Sequence, residues 1–159
     1  PKKLPQAVTG DGMLMSIGDA LPIRDPQSAF GYSLEVIESV RKRWSDRDKL
    51  VKLYSSQFRE LGLQEPTKKF FKHVYNNHMP GGSAAKSFKK SVFNINEDFV
   101  KLSIEALKKG EVVKPGVRMH TFDRCIGFDL HGNPTKVVKV VLNESLDNIR
   151  TIYPISQKG

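Results

Sequence analysis

The chain has 159 residues, of which 38% are hydrophobic and 9% aromatic. This composition excludes a disordered tail and fits one domain, or one domain with a short companion segment. Lysine and arginine total 26 against 17 acidic residues, giving a net charge of +9, which favours nucleic acid or another polyanion as the partner. No apolar run approaches the roughly 18 residues of a membrane span, so we expect no stable membrane insertion.

The amino-terminal part is expected to be a companion segment. Residues 1–31 are rich in proline and glycine and lack periodicity, which is typical of a linker. Helical spacing begins after Ser33, and a second helix begins at Ser45, where Asp48 completes a sequence resembling a capping box. We therefore interpret residues 1–65 as a linker or entry segment with one or two helices, and residues 66–159 as the functional domain.

The domain from residue 66 onward begins with helices and ends with strands. A third helix is predicted to begin around Thr67 and to end before Pro80, and a fourth is predicted from Asn96 to Gly110. Alternating patterns then predict strands over residues 117–122, 125–130, 136–142 and 148–155. The fold class predicted is α+β, with N-terminal helices followed by a four-stranded antiparallel β-meander. The single cysteine, Cys125, lies in a predicted strand, where burial is expected.

Positive charge is concentrated in one stretch. Residues 66–96 contain no acidic residue but six lysines, whereas a solvated face normally mixes both signs. A run of this kind is typical of a surface that binds phosphate groups. The lysines are Lys68, Lys69, Lys72, Lys86, Lys89 and Lys90.

Two histidines, His73 and His78, lie within the basic stretch. On one continuous helix their side chains would point about 140° apart, so they converge only if the helix ends between them, which Asn76, Asn77 and Pro80 favour. A surface role for His73 and a core or capping role for His78 are the structural alternatives. A zinc site is weaker, because helical zinc pairs are spaced near four residues and no carboxylate or thiol lies nearby.

Two imidazoles among lysines suit the cleavage of RNA through its own 2′-hydroxyl. That reaction needs a base, an acid and cations that stabilise the phosphorane, and histidine can serve as either base or acid near neutral pH. The residues leave open which histidine has which role. No cofactor and no metal are expected.

Later residues are candidates for binding RNA beside the histidines. Arg118 and His120 share one face of a predicted strand, and Thr151 and Tyr153 share one face of the last strand. We expect these side chains to line a cleft beside the basic loop, where Lys90 and Ser91 also face. Lys86 with Ser87 is an equal alternative to Lys90 with Ser91.

These features together resemble a known superfamily. The order of a Lys-His pair, a second histidine before a glycine-rich loop, Lys-Ser-x-Phe, an arginine strand and a final Thr-x-Tyr-Pro is similar to that in the barnase, EndoU, colicin and RelE superfamily of metal-independent ribonucleases. The similarity is greatest to the EndoU-like and tRNase toxin domains of contact-dependent inhibition and other polymorphic toxin systems. It covers roughly residues 66–156. It implies a catalytic set of His73, His78, Lys90 (or Lys86), Thr151 and Tyr153.

The resemblance also implies a biological role. The chain would be an antibacterial toxin, secreted or delivered from a cell surface, that cuts RNA, with tRNA as the expected substrate, in the cytoplasm of a target cell. A cognate immunity protein, acidic where it meets the basic surface, would neutralise it. The alternatives from the residues are a non-catalytic RNA-binding module and a nuclease toxin of another class, such as a DNase.

Overall fold

A computed structural model of the chain describes residues 32–85 and 89–157. The predicted linker over residues 1–31, and Lys86 with Ser87, lie outside the described residues. Within them the helices are α1 (Leu34–Arg43), α2 (Arg47–Glu60), α3 (Lys68–His78) and α4 (Phe99–Lys109). The strands are β1 (Val92–Phe93), β2 (Glu111–Lys114), β3 (Val117–Thr121), β4 (Gly127–Phe128), β5 (Pro134–Thr135), β6 (Val137–Leu142) and β7 (Ile149–Ile155).

Each helix begins at a capping side chain. Ser33 and Thr67 cap α1 and α3, at the places where the sequence predicts these two helices to begin. The caps of α2 and α4 are instead Asp46 and Asp98. At each position the aspartate carboxylate accepts hydrogen bonds from backbone N–H groups of the first turn, which have no partner within the helix. The predicted starts at Ser45 and Asn96 were therefore wrong by one and two residues.

The strands form two antiparallel sheets. One has four strands in the order β2-β3-β6-β7, and the other has three short strands in the order β1-β4-β5. The α+β class and the four-stranded antiparallel sheet are confirmed.

One predicted member of the large sheet was wrong. The predicted strand 125–130 contributes only β4, which pairs with β1 in the small sheet, and β2 occupies the fourth place in the large one. Gly127 approaches the Val92 carbonyl so closely that a Cβ atom would overlap it, so the absence of a side chain lets β4 lie against β1. Cys125 lies outside a strand and is exposed, so its expected burial was also wrong.

The core crosses the predicted boundary at residue 65. Trp44 in the link between α1 and α2, and Leu50, Tyr54 and Phe58 of α2, belong to the same hydrophobic cluster as α3, α4 and the large sheet, and Val40 of α1 packs against it. Segment 32–65 is thus part of the folded unit, and a functional division at residue 65 stays a prediction. Within the described residues, no helix is both long enough and apolar enough to cross a bilayer.

Candidate active site

Helix α3 presents both histidines to one cleft. The helix is continuous from Lys68 to His78, so the expectation that it ends between His73 and His78 was wrong. The two rings nevertheless lie with their centroids 6.0 Å apart and their planes at 65°. Helical side chains lean toward the amino end, and an imidazole extends far enough that positions 140° apart can border one groove.

His78 is held as a buried neutral imidazole. It is 7% exposed, its Nδ1 lies 2.8 Å from the Ser91 carbonyl oxygen, and its ring stacks on Tyr153 at 5.2 Å. A carbonyl oxygen can only accept, so Nδ1 carries the proton and donates it to this bond, and Nε2 keeps a lone pair. Burial lowers the pKa of His78 to about 4; the bond to Ser91 opposes the shift, and His73 and Lys90 reinforce it.

His73 has the opposite arrangement of ring nitrogens. The Asn77 side-chain amide donates to the His73 backbone carbonyl at 2.9 Å, which orients its NH₂ group, and the same nitrogen lies 3.3 Å from His73 Nδ1. Nδ1 therefore accepts, and the neutral ring carries its proton on Nε2. Partial burial lowers the pKa of His73, and the positive charges of Lys90, Arg150 and Lys69 lower it further.

Two clefts meet at His73. The first, which we call the histidine cleft, has a volume of about 550 Å³. Its polar lining includes His73, His78, Lys89, Lys90, Ser91 and Tyr153. The second, which we call the turn cleft, has a volume of about 660 Å³ and lies between α3 and the turn that joins β6 to β7. Its polar lining includes His73, Lys69, Asn148, Arg150 and Thr151.

The predicted catalytic residues are thus divided between the clefts. His73, His78, Lys90 and Tyr153 lie together in the histidine cleft, whereas Thr151 lines the turn cleft. The divided placement follows from β7, where Thr151 and Tyr153 share a face but stand two residues apart along the strand. Tyr153 stacks on His78, where the sequence suggested a stacked base or a ribose contact.

Arg118 and His120 do not reach these clefts. The strand register pairs Arg118 with Val140 and Ile152, while Tyr153 pairs with Lys139 and Met119, so the two sets face opposite sides of the sheet. The Arg118 guanidinium donates to the Leu107 carbonyl oxygen at 2.6 Å, and His120 Nε2 lies 3.2 Å from Glu105 Oε2. The expectation that Arg118 and His120 share a cleft with Thr151 and Tyr153 was wrong. The sequence showed which residues share a face within each strand, but not the register between the strands.

The other predicted RNA-binding lysines have different surroundings. Lys69 lines the turn cleft, and Lys89 lines the histidine cleft. Lys68 makes an exposed ion pair with Asp48 at 2.9 Å. Lys72 is exposed and lines neither cleft. A role for each in RNA binding stays a prediction.

Sequence reasoning missed three polar residues of the site. Asn77 is four residues from His73, and this spacing places two side chains together on a helix, so it was the most accessible to prediction. Arg150 is next to the predicted Thr151 in the last strand. The position of Asn148 in the site depends on the conformation of the turn between β6 and β7. No local pattern indicates that the turn folds back onto α3.

Comparison with known proteins gives no relative. No protein-family model, curated protein or solved structure matches this chain. The resemblance to metal-independent ribonucleases therefore stays a prediction. Among the described residues, no group of three or more histidine, cysteine, aspartate or glutamate side chains is arranged to hold a metal ion.

Proposed function

We propose that this chain is a metal-independent endoribonuclease that cleaves RNA by attack of the 2′-hydroxyl on the adjacent phosphate. One observation carries the proposal: the bond from His78 Nδ1 to the Ser91 carbonyl leaves a neutral imidazole with a lone pair on Nε2 beside a second histidine and Lys90. A base of this kind next to a histidine of opposite tautomer, within one cationic cleft, suits acid–base catalysis at a phosphate.

The proton positions favour one assignment of roles. His78, with its pKa lowered to about 4, is the base, and His73 in its protonated form is the acid. His78 Nε2 takes the 2′-hydroxyl proton as the 2′-oxygen bonds to phosphorus. The bond from phosphorus to the 5′-oxygen breaks, and that oxygen takes a proton from His73 Nε2. The products are a 2′,3′-cyclic phosphate and a 5′-hydroxyl, and exchange with water restores both rings.

The remaining side chains of the histidine cleft support this chemistry. Lys90 lies near enough to both imidazoles to lower the pKa of each, so its charge is available to stabilise a phosphorane between them. Tyr153 and Ser91 hold the His78 ring from its face and from its edge, which preorganises the base. Replacing Lys90 with methionine should lower the cleavage rate by about a hundredfold, and Lys52→Met, on an exposed face of α2, is the matched control.

We further propose that the enzyme is a toxin that acts in the cytoplasm of a target bacterium, with tRNA as substrate and an acidic immunity protein as its inhibitor. The net charge of +9 and the resemblance described above support this role. Induced expression inside a bacterium should arrest growth for the wild type and not for His78→Asn. Unimpaired growth with intact tRNA during wild-type expression would contradict it.

The direct test of the enzyme is cleavage of total bacterial RNA in excess EDTA, followed on a denaturing gel. His78→Asn is the informative variant, because the asparagine amide can donate to Ser91 in place of Nδ1 but offers no base. His131→Asn, an exposed histidine that lines neither cleft, is the matched control. We expect discrete fragments from the wild type and the control, and intact RNA from His78→Asn. RNA that is bound but left intact by the wild type would instead favour a binding module.

A further inference from the structure

Asn77 contacts the ring nitrogen of His73 that lies nearer the helix backbone. The two residues are four positions apart on α3, which places their side chains together on one face of the helix. The Asn77 side-chain nitrogen donates to the His73 backbone carbonyl at 2.9 Å and lies 3.3 Å from His73 Nδ1. A carbonyl oxygen can only accept, so the atom that faces it is the NH₂ nitrogen and not the amide oxygen. The second hydrogen of this NH₂ group is therefore available to Nδ1.

This contact favours the neutral form of His73. An amide nitrogen can donate but cannot accept, and protonation of the ring would place an N–H group at Nδ1, facing that donor. Asn77 can offer its oxygen to Nδ1–H only by rotating its amide, which would break the bond to the His73 carbonyl and turn two oxygens toward each other. A hydrogen bond to the neutral form of a group disfavours its charged form, so Asn77 opposes protonation of His73.

The charges around His73 act in the same direction. Burial lowers the pKa of His73, and three cations from different elements lower it further: Lys90 before β1, Arg150 of β7 and Lys69 of α3. The other titratable or charged groups beside the ring are His78, Lys89 and Glu144. Asn77 is uncharged and acts on one nitrogen, so its contribution can be changed while all of these groups stay in place.

We propose that Asn77 is a positioning residue for His73, whose NH₂ group, held by the helix backbone, keeps the ring proton on Nε2 and resists protonation at Nδ1. The inference rests on the proposed function, in which His73 Nε2 delivers a proton to the departing 5′-oxygen. It adds a cause for the pH above which that acid is lost. Asn77 thereby restricts the enzyme to acidic conditions, and Asn77→Asp should extend its activity toward neutral pH.

The test is an NMR titration of the His73 imidazole, assigned by comparison with His73→Gln. Asn77→Ala removes the donor, and Asn77→Asp replaces it with a carboxylate that accepts from Nδ1–H. The measured pKa of His73 should therefore rise from the wild type to Asn77→Ala and again to Asn77→Asp, by about 1–2 pH units in all. The ring nitrogen shifts of the neutral wild type should place the proton on Nε2. Asn76→Asp adds the same charge at the neighbouring residue, which lines neither cleft, and should give a much smaller rise.

The alkaline limb of the pH profile of kcat/KM should move with the measured pKa. Asn77→Asp should then cleave RNA several-fold faster than the wild type at pH 7, and Asn76→Asp should not. A pKa of His73 that is unchanged or lower in both variants at position 77, or an alkaline limb that does not follow the pKa, would overturn the role of Asn77 while leaving the nuclease intact. The expected order of pKa values without RNA cleavage at any pH would support the contact with His73 and contradict the nuclease.

Discussion

Acidification should destabilise the protein through His78. In the unfolded chain this imidazole has a pKa near 6.5, and in the folded chain burial lowers the pKa to about 4. Between these values the unfolded state takes up a proton that the folded state does not, so the free energy of unfolding falls as the pH falls. Above pH 6.5 the ring is neutral in both states, and below pH 4 it is protonated in both.

The size of the effect follows from the two pKa values. Each unit of difference corresponds to about 1.4 kcal/mol, so the folded state loses about 3 kcal/mol between pH 7 and pH 4 through this residue. That is a large share of the 5–15 kcal/mol typical of a domain. In His78→Asn the titrating group is removed, while the hydrogen bond to the Ser91 carbonyl can be kept.

The assay is urea unfolding of both proteins at a series of pH values. Trp44, the only tryptophan, is fully buried against Phe99 with ring centroids 4.1 Å apart, so its fluorescence reports loss of the core. Groups that titrate in both proteins cancel in the difference. The stability of the wild type relative to the variant should fall by about 3 kcal/mol from pH 7 to pH 4. Parallel curves would refute a buried neutral His78.

Three further results are expected. Asp98→Ala should lower the free energy of unfolding by about 2–4 kcal/mol in urea melts, because the carboxylate caps α4 and accepts from a buried tyrosine hydroxyl. Asp46→Ala, which removes a helix cap alone, should lower it by about 1 kcal/mol. Equal losses in the two variants would contradict this account of Asp98. Gly82→Ala should lower the melting temperature, since its Cβ would overlap backbone carbonyl oxygens near the end of α3, and an unchanged melting temperature would count against this packing. The pH profile of kcat/KM should be bell-shaped with an acidic optimum, because activity needs His78 neutral, with its pKa of about 4, and His73 protonated, with its pKa lowered below the ordinary 6.5. Activity that rises steadily above pH 7 would reverse the assigned roles.

Local signals were sufficient for most of the fold. The capping residues Ser33 and Thr67 and the helical spacing after them located α1 and α3, and the period-two pattern located β3, β6 and β7. The strand β2 was missed because Glu111–Lys114 is exposed along its whole length and so has no alternation to detect. Membership of the large sheet depended on the long-range pairing of β4 with β1, which local patterns do not specify.

The candidate site was predictable in its residue types and less so in its geometry. The sequence indicated His73, His78 and Lys90 because RNA cleavage needs an acid, a base and a cation, and few residues of the basic stretch can serve as acid or base. Their convergence on a continuous helix was not foreseen, since helical angles describe where side chains start and not where long side chains end. Arg118 was placed on the wrong side because the face of a strand depends on register between strands.

The most direct test of the central claim is the chemistry of the cut ends. RNA treated with the enzyme in excess EDTA can be analysed by mass spectrometry for both termini of each fragment. Attack by the 2′-hydroxyl, with His78 as base and His73 as acid, predicts 2′,3′-cyclic phosphate and 5′-hydroxyl ends that are absent with His78→Asn. Ends carrying a 3′-hydroxyl and a 5′-phosphate, or cleavage only after a divalent ion is added, would contradict it.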